Sequence, residues 1–569
     1  MMPLDDCKSL LTRRHELRDF FIYVPLLVLA LLATSLAHSQ DKGAESYQTK
    51  AVQIQRDGYG EQLGTVSFPI SCSQIARRDA ERGLALLHHM TYDGARAAFS
   101  AATKADPNCA MGYWGMAMSF IHPVWSDQPS QTNFERGQSF INKAKRQGQK
   151  NDWEQAYISA VEAYYAIGRH DNEKANLISF EKAWERVYQQ FPKDTEAASF
   201  YALAHMAVAD PANKQFTRQQ HAAAIAKQVL ARIPNHPGAH HYIIHALDYP
   251  SLAQDALAVA RSYGEIATNV PHALHMPSHI FTRLGLWEES IVMNQRAVAA
   301  SLANPLHEKI SLHYLHALDY LVYAFLQRGD DERAQEALDI ISSLKHPIQR
   351  HRSSAYTLAS IPARIALENK QWAEASMLRP RMQSKFPWDE FPAMEAITYF
   401  VRALGAARSA NEEMARQALD QFIILHDRAA KKDRNRTKQM DIQRLTVQAW
   451  LFYHADDPDK ALEMMRKAAK METAMDKQAF SSGIILPALE LYADMLLEAG
   501  HYRSALSQYQ ASLVQHPNRF NSLYGAARAA ELAEDKNQAR FFYQKLMKIS
   551  ITDTKRLSVQ QARSFLEKN

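Results

Sequence analysis

Cysteine and glycine are scarce in this sequence. Among its 569 residues, only 3 are cysteine and 19 are glycine. A disulfide-rich scaffold and a collagen-like repeat are therefore excluded. Charge of one sign is also lacking, because 66 basic residues nearly balance 61 acidic ones and leave a net charge of +5. This balance predicts a mixed, solvated surface and no nucleic-acid partner.

Signatures of the common catalytic sites are absent as well. The sequence contains no G-x-S-x-G, no H-E-x-x-H, no P-loop and no G-x-G-x-x-G. These motifs place a nucleophile, zinc ligands or phosphate-binding backbone groups on defined turns and helices. We therefore predict no catalytic residues and no enzymatic activity for this chain.

Helix-forming residues dominate what is present. The chain is 47% hydrophobic and 22% charged, which is typical of a folded soluble protein. Alanine, leucine, glutamine, glutamate, lysine and arginine fill long stretches, and no strand-like alternation interrupts them. The chain also exceeds the roughly 250–300 residues at which a single core stops growing. Several helical domains or one helical repeat array are therefore expected.

The N-terminal segment resembles an export signal. Arginines precede a largely apolar run over residues 20–37, which ends in the small residues of Ala37-His38-Ser39. This order predicts a signal peptide over residues 1–39, cleaved before Gln40. An uncleaved membrane anchor is the alternative, because the run is just long enough to span a bilayer. Residues 12–18 partly match a twin-arginine signal, although Glu16 occupies a position where an apolar residue is expected.

Export sets the expected location and the expected state of the cysteines. The protein is predicted to be periplasmic or otherwise exported, or anchored in the inner membrane and facing the periplasm. Only Cys72 and Cys109 would remain after cleavage. Two cysteines in an oxidising compartment predict one disulfide, whereas a metal-thiolate site usually needs closely spaced pairs.

A 34-residue pattern of small and aromatic residues recurs along the chain. With position 1 at Ala76, Gly83 falls at position 8, Ala95 at position 20, Phe99 at position 24 and Pro107 at position 32. Small residues at positions 8 and 20, where two helices cross, and proline near position 32 are typical of the tetratricopeptide repeat. Further copies begin near the following residues: Pro237, Pro271, Leu315, Tyr356, Ala396, Ile442, Leu486 and Phe520.

The repeats predict an all-α fold, a right-handed superhelical solenoid of tetratricopeptide-type helix pairs. One helix pair cannot bury its apolar face alone, so neighbouring pairs stack into a continuous core with a concave inner face. The predicted organisation is a signal peptide or anchor over 1–39, a linker over 40–70, an N-terminal array with histidine-rich repeats over 71–350 and a C-terminal array over 351–569.

Several segments of the chain are similar to a widespread group of bacterial exported tetratricopeptide-repeat proteins of unassigned function. The resemblance lies in RGLALLHHMTYDGARAAF, DPNCAMGYWGMAMSFIHPVW, HPGAHHYIIHALDYP, PHALHMPSHIFTRLGLWEESI, LHYLHALDYLVYA and PNRFNSLYGAARAA. These segments are scattered from about residue 72 to about residue 545. The resemblance implies the repeat fold and export, and it implies no activity.

Histidine is concentrated in the middle of the predicted array. Ten of the 24 histidines are His236, His240, His241, His245, His272, His275, His279, His307, His313 and His316. In the repeat phase, positions 2, 5, 9 and 12 of the first helix face the concave groove. The residues predicted at such positions are His241 and His245, His275 and His279, and His316 and Asp319, with Asp248 nearby. Residues four apart share one helix face.

Three interpretations of this groove are open. The histidines can be structural, satisfied by neighbouring carboxylates and carbonyls. They can instead hydrogen-bond a ligand or peptide. They can also bind a divalent transition metal such as Zn or Cu, with His241, His245, His275 and His279 as a four-nitrogen set. Pro277 weakens all of these groove interpretations, because a proline between His275 and His279 can start or kink the helix and separate the two rings.

The function predicted from these patterns is that of an exported scaffold. Its concave groove would bind a protein or peptide partner, and membrane contact would occur only through an uncleaved N-terminal segment. The alternative function is binding of a metal or small ligand by the histidine-rich repeats at 236–319.

Overall fold

The computed structural model describes residues 62–125, 128–148, 150–210, 213–303, 309–432, 437–475 and 481–568. Contacts group Gln55–Asn569 into one compact unit. The predicted signal peptide over 1–39, the greater part of the linker over 40–70 and His307 lie outside the described residues. The boundary predicted near residue 350 stays a prediction.

The first half of the described chain is a succession of α-helices. They are α1 (Gln74–His88), α2 (Tyr92–Ala105), α3 (Ala110–Met118), α4 (Gln131–Arg146), α5 (Asp152–Tyr165), α6 (Glu173–Gln190), α7 (Thr195–Ala207), α8 (Thr217–Arg232), α9 (Pro237–Leu247), α10 (Leu257–Tyr263), α11 (Pro271–His275), α12 (Pro277–Leu284), α13 (Trp287–Ala303), α14 (Leu312–Gln327) and α15 (Asp331–Ser342).

The second half continues in the same way. Its helices are α16 (Arg352–Glu368), α17 (Trp372–Ser376), α18 (Pro392–Arg408), α19 (Glu412–Lys432), α20 (Lys438–His454), α21 (Pro458–Thr473), α22 (Ala488–Glu498), α23 (Tyr502–Gln515), α24 (Phe520–Leu532), α25 (Lys536–Ile549) and α26 (Leu557–Lys568). No β-strand occurs in the described ranges, where Ile310 and Ile348 form an isolated parallel bridge. The predicted all-α class is confirmed.

Consecutive helices pack against one another in pairs, as the repeat pattern predicts. The first pair shows why small residues are needed where two helices cross. Ala95 is fully buried, and a Cβ atom added to Gly83 would lie 3.0 Å from the Phe99 ring. A larger side chain at either crossing position would therefore push α1 and α2 apart. Within the described ranges, no helix has both the length and the apolar character that a membrane span requires.

Local signals set where many helices begin. Asn151 and Glu154 form a capping box at the start of α5, which satisfies two backbone N–H groups that the first helical turn leaves free. Proline is the first residue of α9, α11 and α12, a position where its missing N–H costs nothing. The starts of α9 and α11 match the repeat starts that the sequence predicts at Pro237 and Pro271.

A later segment of the chain covers the histidine-rich helices. The carbonyl oxygen of Ser481 accepts a hydrogen bond from Tyr320 of α14 at 3.0 Å. The carbonyl oxygen of Gly483 accepts one from Arg364 of α16 at 2.6 Å, and Ser482 N donates to Asp319 of α14 at 3.3 Å. The face that the sequence predicts as an open groove is therefore in contact with the chain's own backbone.

Cys72 and Cys109 are joined by a disulfide, with their Cα atoms 5.0 Å apart. Cys72 precedes α1, and Cys109 is the residue before α3. The bond therefore connects the starts of the first helices of two neighbouring repeats. This is the pairing that the sequence predicts.

Removal of this disulfide is expected to destabilise the array. The two cysteines are 37 residues apart, and a closed loop of that length stabilises a fold by about 3–4 kcal/mol in the chain-entropy description. The double variant Cys72→Ser, Cys109→Ser should lower the free energy of unfolding by this amount in urea denaturation. Reduction of the unmodified protein is the matched control and should give the same loss. A denaturation midpoint that is insensitive to both changes would contradict this expectation.

Candidate metal centre

Six histidines from three successive first helices meet at one place in the array. α9 contributes His241 and His245, the α11–α12 region contributes His272, His275 and His279, and α14 contributes His316. Five of these side chains are buried, and His245 is half-buried. Spacing of four residues within α9 and across α11–α12 places each pair on one helix face.

Pro277 does not separate the second pair. α11 ends at His275 and α12 begins at Pro277, but Met276 between them keeps right-handed helical angles, with φ −54° and ψ −38°. The proline therefore removes a backbone donor without turning the chain, and His275 and His279 remain on one face. Their Nε2 atoms are 3.1 Å apart. The expectation that Pro277 could divide the pair was wrong.

The first histidine triad consists of His241, His245 and His272. One ring nitrogen from each lies within 4.8 Å of the other two. The Nε2 atoms of His241 and His245 are 3.1 Å apart. His241 Nδ1 donates to the carbonyl oxygen of His88 at 2.8 Å, so Nε2 is the unprotonated nitrogen of the neutral His241 ring.

The second histidine triad consists of His275, His279 and His316, with the same separation limit of 4.8 Å. His275 Nδ1 lies 2.7 Å from Asn294 Oδ1, and the amide nitrogen of Asn294 donates to the Ser290 carbonyl oxygen. Asn294 Oδ1 is therefore the acceptor, and His275 Nδ1 is the donor. His279 Nδ1 donates in the same way to Asp248 Oδ2 at 2.9 Å.

These donors leave two lone pairs facing each other. Because Nδ1 donates in both rings, the Nε2 atoms of His275 and His279 are both unprotonated in the neutral state, yet they lie 3.1 Å apart. The Tyr320 hydroxyl lies 3.4 Å from His279 Nε2, and it donates to the Ser481 carbonyl oxygen at 3.0 Å. Two nitrogens bound to one tetrahedral metal at about 2.0–2.1 Å are separated by about 3.3 Å. A cation between the two nitrogens would turn their repulsion into coordination.

Burial keeps most of these imidazoles neutral. It lowers the pKa of His241 to about 3. Burial, followed by the neighbouring histidines, also holds the pKa of His272, His275 and His316 well below the ordinary value. Neutral imidazole is the form that binds metal, so these four rings are available as ligands at neutral pH.

The grouping of the histidines differs from the sequence-based prediction in two respects. The four-nitrogen set of His241, His245, His275 and His279 was wrong, because the two pairs belong to separate triads that His272 and His316 complete. The predicted exposure of this groove was also wrong. His241 is 0% exposed and His316 is 7% exposed, since packing of the first helices leaves these rings between α9, α11–α12 and α14.

The two predicted carboxylates orient other side chains. Asp248 accepts from His279 Nδ1 and from Arg283 Nε, each at 2.9 Å. A carboxylate in this position fixes the tautomer of a ligand histidine and increases its basicity. Asp319 accepts from Ser360 Oγ at 2.7 Å and from Ser482 N. Asp319 therefore binds the segment around Ser482 to α14, and neither of these hydrogen bonds is to a triad nitrogen.

A cavity of about 50 Å³ lies between the two triads. Its walls include His245 and His272 from the first triad and His279 and His316 from the second. Both ring nitrogens of His272 and Nδ1 of His316 lack a hydrogen-bond partner among the residues that the structure describes. An unpartnered buried polar group costs about 1–3 kcal/mol. Such a cost marks these nitrogens as candidate ligand-binding atoms.

A third group of possible metal ligands, formed by His88, Glu196 and His236, has a structural role. Glu196 accepts from His88 Nε2 at 2.7 Å, from His236 Nε2 at 3.2 Å and from Ser67 N at 2.7 Å. Burial raises the pKa of Glu196, but His236 and His88 outweigh it and hold the pKa below its ordinary value. The remaining nitrogens contact Tyr242 Oη and Ala239 N. Every ligand nitrogen is therefore engaged, and the group connects the segment before α1 to α7.

His272 is the ligand candidate that the sequence interpretation missed. It occupies position 2 of the repeat that starts at Pro271, and position 2 belongs to the set predicted to face the groove. The repeat phase therefore contained a signal for His272, but the predicted metal set was built from pairs of histidines four residues apart, and His272 belongs to no such pair. The contact of His88 with Glu196 joins residues 108 apart in the sequence.

Comparisons with known proteins leave the function open. No family model and no curated protein matches the chain. Solved structures with 11–13% identity align over 87% of it. They include Naa15/Naa10 bound to HypK-THB (TM-score 0.23, 73% of that chain covered), yeast Tom70 (0.28, 96%) and the APC/C hetero-tetramer Cut9-Hcn1 (0.26, 96%). Structural similarity at these TM-scores does not support a conclusion about this chain. The description of the fold and of the site is therefore based on the helices and side chains of the chain itself.

Proposed function

We propose that this protein binds transition-metal ions through its two histidine triads. The observation that carries the proposal is the 3.1 Å separation of the Nε2 atoms of His275 and His279. Both rings direct their Nδ1–H groups away from each other, to Asn294 and Asp248. Rings that were merely packed would place a donor of one against an acceptor of the other.

Imidazole ligands define the class of metal. Three nitrogens and no thiolate in each triad suit Zn, Cu, Ni or Fe, and they do not suit Mg or Ca, which prefer oxygen. Three protein ligands also leave a coordination position open. The adjoining cavity of about 50 Å³ gives that position room for a small exogenous ligand.

Metal binding is expected to depend on the histidines of the two triads. Purified protein should retain bound Zn, Cu or a similar ion at neutral pH, and His279→Gln should reduce the affinity of the second triad by more than 100-fold. Asp248→Asn should reduce it by about 10- to 100-fold, the usual effect of losing a residue that orients a ligand histidine. Equilibrium dialysis followed by elemental analysis measures both.

His240→Gln is the matched control. His240 lies beside His241 and is also buried, but its Nδ1 donates to the carbonyl oxygen of His236 and its ring belongs to neither triad. Its substitution should leave metal affinity unchanged. Equal loss of metal from His240→Gln and His279→Gln would indicate a general packing effect. Absence of bound metal in the unmodified protein at neutral pH would refute the proposal.

Binding of a protein or peptide remains the second candidate function. Helical repeat arrays offer extended surfaces to such partners, and helices pack pairwise along this unit. The predicted groove residues could not contact a partner directly, because they are buried. A partner would therefore bind another face of the array. Export through the N-terminal segment and a periplasmic location belong to the same proposal.

A further inference from the structure

We infer that the two histidine triads hold a pair of copper ions that reduces dioxygen in the cavity between them. This inference rests on the metal-binding function proposed above and adds the identity of the metal, the pairing of the ions and a reaction. Three features carry it: the ligand chemistry, the charge around the site and the position of the cavity.

The ligand chemistry favours copper. The two triads supply six imidazoles and no bridging carboxylate, because Asp248 is engaged by His279 and Arg283 and Asp319 by Ser360. Copper binds such nitrogen sites more tightly than the other divalent first-row metals. Met276 also lines the cavity and is fully buried. Its thioether is a soft donor that suits Cu(I).

The charge around the site favours a monovalent ion. The triad residues are neutral when they act as ligands, and Asp248, the carboxylate in contact with them, already forms an ion pair with Arg283. A buried ion that lacks a compensating charge has a large desolvation cost, which grows with the square of its charge. Two Cu(I) ions would therefore be tolerated here more readily than two divalent ions.

The two triads are close enough to act together. The ring centroids of His245 and His279 are 6.3 Å apart, and those of His272 and His275 are 6.2 Å apart. Each of these pairs joins one triad to the other. The cavity of about 50 Å³ has walls from both triads. A water molecule occupies about 30 Å³, so the cavity has room for a diatomic molecule.

A wider pocket, here called the vestibule, adjoins this cavity. The vestibule has a volume of about 410 Å³ and shares Trp125, Leu312, His313 and His351 with the walls of the inner cavity. The Trp125 ring lies 5.4 Å from that of His272. In this inference, copper and dioxygen approach the triads from the vestibule, past the Trp125 side chain.

The reaction balances without another cofactor. Each of the two Cu(I) ions gives one electron and becomes Cu(II). Dioxygen accepts the two electrons and, with two protons from solvent, leaves as hydrogen peroxide. The O–O bond is reduced from a double to a single bond and is not cleaved. A single turnover thus consumes one dioxygen molecule for each pair of copper ions.

Anaerobic loading with Cu(I), followed by exposure to dioxygen, tests this inference. The protein should bind two copper ions per chain and then consume one dioxygen molecule per chain, measured with an oxygen electrode, with both coppers oxidised. Zinc-loaded protein should consume none. His272→Gln should retain one copper and lose the two-electron uptake, whereas His240→Gln should behave like the unmodified protein. Met276→Leu should weaken Cu(I) binding by about tenfold or more and leave Zn binding unchanged.

The outcomes separate the two proposals. Protein that binds zinc or copper but consumes no more dioxygen per bound copper than its His272→Gln variant would overturn the copper-pair inference and leave metal binding intact. One copper per chain in the unmodified protein would do the same. Protein that retains no transition metal would overturn both. Circular dichroism of each variant shows whether the variant is folded, so a loss of copper binding can be distinguished from a loss of the fold.

Discussion

Arg519→Ala is expected to lower the free energy of unfolding by about 3–5 kcal/mol. Arg519 is fully buried at the start of α24, where its guanidinium contacts Glu368 of α16 at 2.7 Å and Glu490 of α22 at 2.8 Å. Its Nη1 also donates to Tyr323 of α14 at 3.3 Å. Truncation would leave two buried carboxylates without their cation, and an uncompensated buried charge has a cost of this size. Urea denaturation measures the loss.

Two comparisons identify the cause of that loss. The triple variant Arg519→Met, Glu368→Gln, Glu490→Gln removes all three charges and should recover a large part of the stability, because replacing a whole buried ion pair by neutral groups is often harmless. Arg416→Ala is the exposed control. Its partner Glu412 lies on the same helix surface, where an ion pair contributes little. Equal stability of the Arg519→Ala and Arg416→Ala proteins would contradict the expectation.

Mild acid is expected to destabilise the fold through buried histidines outside the triads. Burial lowers the pKa of His89 to about 3, and burial followed by Arg519 and Arg283 lowers the pKa of His516 to about 3. In the unfolded chain both pKa values return to about 6.5. The unfolded state therefore binds more protons below pH 6.5. Stability is complete above this pH and falls as the pH decreases toward 3.

The size of the acid effect follows from the same shifts. Each histidine should reduce the free energy of unfolding by about 2 kcal/mol between pH 7 and pH 5, so the two together account for about 4 kcal/mol. His89→Gln should reduce the difference in stability between pH 7 and pH 5 by about 2 kcal/mol, since it deletes one titrating group. Denaturant titrations of both proteins at pH 7 and pH 5 measure the difference. An unchanged difference in the His89→Gln protein would refute the assignment.

The repeat positions were predictable because they depend on local chemistry. Pro237 and Pro271 mark helix starts in the sequence, and each is the first residue of a helix in the structure. Capping, helix propensity and the period of small residues all act within about one repeat of 34 residues. Such signals can be read without knowledge of the rest of the fold.

The histidine site was predictable only in part. Spacing of four residues correctly indicated that His241 pairs with His245 and His275 with His279. Which third ring completes each pair depends on the rotation and tilt of neighbouring helices, and the sequence contains no local signal for either. Burial of the site depends on still more distant contacts. Residues Ser481–Gly483 lie against α14 and α16, more than 100 residues later in the chain.

The sequence by itself determined the helices, their pairing and the concentration of histidine in three successive repeats, because hydrophobic period, proline position and spacing act over a few turns. Only the tertiary structure decided that these histidines form two buried triads around one cavity. Coordination requires nitrogen atoms from different helices to converge within a few ångströms. That convergence is set by packing between helices, and in this chain by a covering segment and by Arg519, which link residues far apart in sequence.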